Sequence, residues 1–357
     1  MKPKVTFTRA NPDFSAALRS RVEEYFKQKN VSLRGNFKLY SKTIILVGLT
    51  SALYAMLVFV DLPIWLSIIF CALLGAGLAG IGFNVMHDGA HGSYSQKDWV
   101  NEIMGHSLNL MGGSVYLWKQ KHNIIHHTFT NLEGMDDDID IRPWMRTNEN
   151  QPKRWFHRYQ HIYWVFLYGL TYITWVFQKD FDKYFRGKIS GIKFQQMNLR
   201  DHIVFWISKL LYFSTFIVLP IFTVGWLPTL IGYLIVSLVC GWILAVVFQL
   251  AHVVDEASFP MPSENTHKVD QEWTIHQLQT TANFGTKSRI LSWFAGGLNY
   301  QVEHHLFPKI SHIHYPEISK VVKQVCSEYG VTYLEYPTMW SALRSHIHHL
   351  RMVGTAA

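Results

Sequence analysis

Charge and cysteine are what this sequence has least of. Acidic and basic residues make up 16% of its 357 positions, well under the roughly one quarter usual in soluble chains. Apolar residues reach 49% and aromatics 15%. A length that could hold two soluble domains therefore reads as a polytopic membrane protein. The three cysteines lie far apart, Cys71 and Cys240 fall inside apolar runs, and no Cys-x-x-Cys pair occurs. This excludes thiolate zinc sites and iron–sulfur clusters and implies no disulfide framework. The first forty residues are polar and basic, without the apolar core and cleavage site of a secretory signal, so the amino terminus is expected to stay cytosolic. No nucleic-acid partner is expected.

Four apolar segments are long enough to cross about 30 Å of hydrocarbon at ~1.5 Å per residue: Thr43 to Val60, Leu62 to Met86, Ile203 to Val224 and Leu227 to Leu250. The turns inside each pair, Asp61-Leu-Pro63 and Gly225-Trp-Leu-Pro228, contain no lysine or arginine. Basic residues sit at the other ends: Lys2, Lys4, Arg9, Arg19, Arg21, Lys38 and Lys42 before the first span, and Lys179, Lys183, Arg186 and Lys188 between the hairpins. The positive-inside rule then puts both termini on the cytosolic side of what is expected to be a bacterial inner membrane. The predicted fold is all-α: two transmembrane hairpins with interfacial helices and a cytosolic cap. The expected organisation is a basic amino-terminal segment (1–42), a membrane body (43–330) and a cytosolic tail (331–357).

Two further apolar stretches, Ile103 to Leu117 and Ile162 to Phe177, reach only about 22 to 24 Å by helical rise. They are read as interfacial or re-entrant elements. The small-residue run Gly75 to Gly82 permits close backbone approach and is compatible with a packed bundle or a groove. Phe14 to Lys29 reads as a short basic amphipathic helix lying on the membrane.

Three histidine clusters adjoin the apolar segments: His87-Asp-Gly-Ala-His91, His122-Asn-Ile-Ile-His126-His127 and Gln301-Val-Glu-His304-His305. At about 100° per residue, His87 and His91 share one helical face, as do His122 and His126. Adjacent imidazoles on a helix rarely reach one ion but readily serve two, so the spacing favours a dinuclear centre. His252 closes the last span at the depth where His87 closes the second, which makes eight candidate ligands. Imidazole alone does not select the metal, but the count exceeds the three protein ligands of a hydrolytic zinc site. A nitrogen-rich di-iron site that binds oxygen fits better.

The three clusters resemble the histidine boxes of the membrane fatty acid desaturase family. The form is His-x-x-x-His, His-x-x-x-His-His and Gln-x-x-His-His, with glutamine opening the third box as in front-end acyl desaturases. The segment Gly296 to Pro308 is similar to that subfamily's third-box signature, and the resemblance runs from about Ile81 to His314. It implies an oxygen-dependent enzyme with two iron ions, which removes two hydrogens from an unactivated acyl chain and leaves a cis double bond. The substrate would be an acyl-CoA or acyl-lipid, and two electrons would be consumed. The implied ligands are His87, His91, His122, His126, His127, His304 and His305, with His252 as an extra ligand and Gln301 as a weak ligand or a group orienting a neighbouring imidazole. Asn131 and Trp144 are implied near the acyl entrance. No His-Pro-Gly-Gly tetrapeptide marks a fused cytochrome b5, so a separate ferredoxin or free cytochrome b5 is the expected donor. The alternative is a di-iron lipid hydroxylase.

The remaining polar residues carry blander readings. The acidic stretch Asp136 to Asp140 reads first as a solvated loop, the alternatives being that Asp138 and its neighbours bond ligand imidazoles or pair with Arg142 and Arg146. His312 and His314 read as fold-stabilising. His106, His157, His161, His202, His267 and His276 read as interfacial or surface residues, and His346-Ile-His-His349 as a solvated terminal cluster.

Overall fold

The structure, a computed structural model, describes residues 5–8, 12–263 and 265–356. Lys2, Lys4 and Arg9 lie outside them. Among the described residues four helices are long and apolar enough to cross a membrane: Phe37–Phe59, Ile64–His91, Leu199–Val224 and Trp226–His252. Each begins or ends within a few residues of its predicted bounds. The first is started by Asn36, whose side-chain oxygen accepts from the backbone N–H of Lys38 at 2.9 Å and satisfies an otherwise unpaired amide of the first turn. The third and fourth spans are joined at Gly225, whose φ of +94° suits a residue without Cβ.

The second and fourth spans form the centre of the molecule. A Cβ at Gly75 would lie 2.5 Å from the Val236 carbonyl oxygen, so this backbone contact exists only because the residue is glycine. At the other end of the small-residue run, Gly82 instead lines a cavity. The run thus makes both a close-packed seam and the floor of a groove. The outer faces of the first and third spans carry exposed Ile44, Leu49 and Phe222, as lipid-facing surfaces do.

Neither short apolar stretch forms a span. Residues 98–119 break into Asp98–Gly105, Ser107–Leu110 and Val115–Lys119, with a turn at Gly112, φ +84°. Residues 160–186 run as Gln160–Gly169, Thr171–Thr174, a π-helical turn at Trp175–Lys179 and Asp180–Arg186. This second stretch packs on the fourth span, where a Cβ on Gly241 would meet the Gly169 carbonyl at 2.4 Å. Lys209, a buried charge within the third span, is paired with Asp180 at 2.9 Å, pinning that span to the cap.

The amino-terminal helix Pro12–Lys29 departs from expectation. Its apolar face of Phe14, Leu18, Val22 and Phe26 is buried, packed with Val322 and Val325 on one side and Ile318 on the other. These partners belong to a second amphipathic helix, Tyr315–Glu328, which lies outside the membrane spans. Two amphipathic helices cover one another, so this stripe is not free for lipid. The carboxy-terminal region is likewise folded in: the helix Met339–Thr355 lies against the helix Gln160–Gly169, and Arg146 donates to its Val353 carbonyl at 2.7 Å. Short parallel pairings, Thr6–Phe7 with Lys268–Val269 and Asn283–Phe284 with Glu335–Tyr336, stitch distant segments into the same cap.

Candidate metal centre

His87 and His91 end the second span, and His252 ends the fourth. His122 and His126 lie on a π-helical segment, Gln120–His126, rather than an α-helix. The wider turn still stacks the two rings, 5.0 Å apart and 23° from parallel. His304 and His305 come from the short helix Gln301–Leu306. All eight imidazoles converge. Ligating atoms of His87, His91, His122 and His304 lie within 4.8 Å of one another, as do those of His126, His252 and His305, and those of His127, His304 and His305. The adjacent pair His304 and His305 divides between the first two groups, while His127 sits against both, its ring 4.6 Å from His304 and 4.4 Å from His305.

The fit to metal is tested by the outward and inward nitrogens. On the outward side, Nδ1 of His122 donates to Asp138 at 3.0 Å, Nδ1 of His126 to Asp136 at 2.8 Å, and Nδ1 of His305 to Gln277 Oε1 at 2.8 Å. Nδ1 of His304 meets the Tyr315 hydroxyl at 3.2 Å, and Nδ1 of His252 the Thr280 carbonyl at 3.3 Å. On the inward side, seven Nε2 atoms, those of His91, His122, His126, His127, His252, His304 and His305, are buried without a hydrogen-bond partner. Buried polar atoms are ordinarily satisfied. Protonating Nδ1 leaves the Nε2 lone pair free, the arrangement in which outer hydrogen bonds orient metal-bound imidazoles. These residues fit a pair of imidazole-ligated ions.

Burial and then the surrounding imidazoles hold His127, His304 and His305 well below the ordinary histidine pKa. Burial pushes His122 down to about 4 despite Asp138. At His126 burial is overcome by the Asp136 carboxylate, and the pKa is raised. Most of the cluster is therefore neutral near pH 7, the form that binds metal.

Several sequence readings change here. The acidic stretch is not a solvated loop: Asp136 is buried against His126 and also accepts from the Asn131 amide at 2.9 Å, and Asp138 holds His122. Asp140 pairs with Arg142, its Oδ1 2.8 Å from Nε, whereas Arg146 pairs with no carboxylate among the described residues and donates to backbone carbonyls. Asn131 is fully buried and donates to the His252 carbonyl at 2.8 Å, away from the acyl entrance. Trp144 does line the cavity. Gln301 is buried and lines the cavity with His87, without a hydrogen bond to an imidazole among the described residues.

His312 bridges Asp88, 3.0 Å from Nδ1, and the Lys42 ammonium, 3.0 Å from Nε2, while His314 meets the Arg34 carbonyl at 3.3 Å. His157 is buried against the Pro143 carbonyl, and His276 is buried beside Phe7, so neither is a surface residue. The terminal cluster is not solvated either: His346 contacts the Tyr168 hydroxyl and the Val253 carbonyl, His349 the Thr147 carbonyl, and only His348 is exposed. What the sequence reading missed as site residues are Gln277, Thr280 and Tyr315, whose spacing from the boxes follows no local period.

The cavity beside the cluster measures about 770 Å³. His87, His122 and Gln301 line it, with Phe83, Met86, Leu244 and Phe248 as apolar lining. An apolar cleft with a few convergent polar groups suits a chain-like apolar ligand.

Comparison with known proteins agrees with this geometry. The family described as "Fatty acid desaturase" matches residues 63–337. An acyl-lipid (8-3)-desaturase of Physcomitrium patens is 39% identical over 351 residues, covering 96% of this chain and 72% of that protein. An sn-1 linoleoyl-lipid 6-desaturase of Arthrospira platensis is 37% identical over 353 residues, covering 98% and 95%. A protein of the same description from Synechocystis sp. is 34% identical over 358 residues, covering 99% of each chain.

Proposed function

The chain belongs to the fatty acid desaturase family, and we propose on that premise that it is a front-end acyl-lipid desaturase. It is a membrane oxidoreductase that acts on lipid acyl chains. The finer reading is that two iron ions, molecular oxygen and two electrons serve the reaction. A separate ferredoxin or free cytochrome b5 delivers the electrons at a cytosolic cap, in a bacterial inner membrane. Relatives named as lipid desaturases support a lipid-bound chain over an acyl-CoA, and desaturation over hydroxylation.

One observation carries this: seven buried Nε2 atoms aimed at a common volume without partners, beside an apolar cavity. His87, His91, His122 and His304 would hold one iron, and His126, His252 and His305 the other, with His127 between them. When bound, the irons supply oxygen activation and hydrogen removal. The protein's share is positional. Asp136, Asp138 and Gln277 fix the imidazoles from behind, and the apolar wall excludes water and holds a methylene beside His87 and His122. No protein acid–base pair is needed to break the C–H bond.

The test is lipid profiling by mass spectrometry in a host expressing wild type or His304→Ala, with metal analysis of both purified proteins. New cis double bonds with about two irons per wild-type chain, and neither in the variant, are expected. A fully active protein with one metal or none would sink the dinuclear reading, and a hydroxylated product would replace the desaturase one.

A further inference from the structure

The polar mouth of the acyl cavity is lined by four cations, Lys121, Arg142, Lys179 and Lys183, and four carboxylates, Asp137, Asp138, Asp140 and Asp182, yet one cation is left without a direct partner. Lys121 is paired with Asp138, Lys183 with Asp137 at 2.8 Å, and Arg142 with Asp140. Asp182, also on the lining, is held by Arg186 at 2.6 Å. Lys179 lines the same mouth and, among the described residues, forms no ion pair or hydrogen bond. Its ammonium lies in the fields of Lys121 and Lys183, and burial followed by those two charges lowers its pKa. Asp137 and Asp138 also reach it electrostatically, but each is already taken by another lysine. A half-buried ammonium without a direct partner is costly unless a ligand completes it.

The surroundings indicate which ligand. Trp144 and Phe166 line the cavity and are 60% and 65% exposed, and Phe177, two residues before Lys179, is 43% exposed. Tryptophan together with lysine and arginine anchors marks the headgroup level of a bilayer, and Trp144, Arg142 and Lys179 share this mouth. The cavity therefore opens where lipid headgroups lie, and a chain threaded toward His87 and His122 would leave its polar end beside Lys179.

Resting on the acyl-lipid reading above, we infer that Lys179 binds the phosphate of an anionic phosphoglycerolipid substrate and makes the enzyme favour acidic phospholipids over uncharged glycolipids. A charged hydrogen bond to phosphate is lost when the headgroup is uncharged, which is about tenfold or more in preference.

The holoenzyme is reconstituted with its electron donor in nanodiscs holding equal amounts of phosphatidylglycerol and digalactosyldiacylglycerol with identical linoleoyl chains. Desaturated product is then counted in each lipid class. Wild type is expected to favour phosphatidylglycerol by about tenfold, Lys179→Gln to bring the ratio close to one, and Lys179→Arg to keep it. Iron content and elution volume confirm that each variant is folded. A wild type without preference overturns the inference whatever the variants do, as does an unchanged ratio in Lys179→Gln. A wild type that desaturates neither lipid counts instead against the acyl-lipid reading itself.

Discussion

Asp136 accepts a 2.8 Å hydrogen bond from Nδ1 of His126, with both side chains completely buried. The same carboxylate oxygen accepts from the backbone N–H of Asn131, whose side-chain amide in turn donates to the carbonyl of His252. One carboxylate thus ties together the segments that carry two of the eight imidazoles.

Asp136→Asn should therefore lower iron retention or turnover by roughly 10- to 100-fold, and Asp138→Asn, acting through His122, should do the same. Metal content after dialysis against a chelator measures this. Normal retention in both variants would show that these bonds serve the fold alone.

Gln301→Ala should lose most activity while inserting and expressing nearly as wild type does, because Gln301 lines the cavity with His87 and His122. Gln301→His should be impaired, since a ring there would crowd the third box. Product yield per mole of folded enzyme decides it, and wild-type yield from Gln301→Ala would remove any site role.

Electron delivery should depend on salt. Exposed charges are screened over a Debye length of about 8 Å at physiological ionic strength, and complementary charge mainly raises association rate. Four basic residues near the second box and the following interfacial helix could meet a small acidic donor, Lys119, Lys121, Arg154 and Arg158, and of these only the two arginines are exposed. Lys121 is committed to Asp138 behind His122. Arg154→Glu with Arg158→Glu should slow turnover at limiting donor, as added salt does, and Lys121→Glu should instead reduce metal content. The assay belongs in neutral-lipid nanodiscs, where salt-independent turnover would defeat the docking role.

Acidification should destabilise the metal-free protein. His122, His276 and His346 are each held at about 4, with burial the largest cause, against about 6.5 in an unfolded chain. Between those values the unfolded state binds protons that the folded state refuses, so stability falls as pH drops from about 6.5 toward 4. His126, whose pKa is raised, opposes this but is outnumbered. The apparent melting midpoint should drop across that window, and a flat profile would contradict the neutral, buried state of these rings.

What was legible in the sequence was whatever has a local period or length. Four apolar runs matched to bilayer thickness became four spanning helices, and histidines four apart became stacked or facing rings. The turn chemistry at Gly225 and the small-residue seam at Gly75 were equally local. Tertiary structure alone decided which partners lie across long loops. The buried amino-terminal helix is one case: an apolar stripe cannot say whether lipid or the helix Tyr315–Glu328 will cover it. Asp136 to Asp140 is another, because a run of aspartates looks solvated until the fold sets His122 and His126 against it. The buried His346 and His349, and the unpaired Lys179 among paired lysines, have the same origin. Burial and charge pairing are properties of contacts between residues far apart in the chain, and no local pattern encodes them.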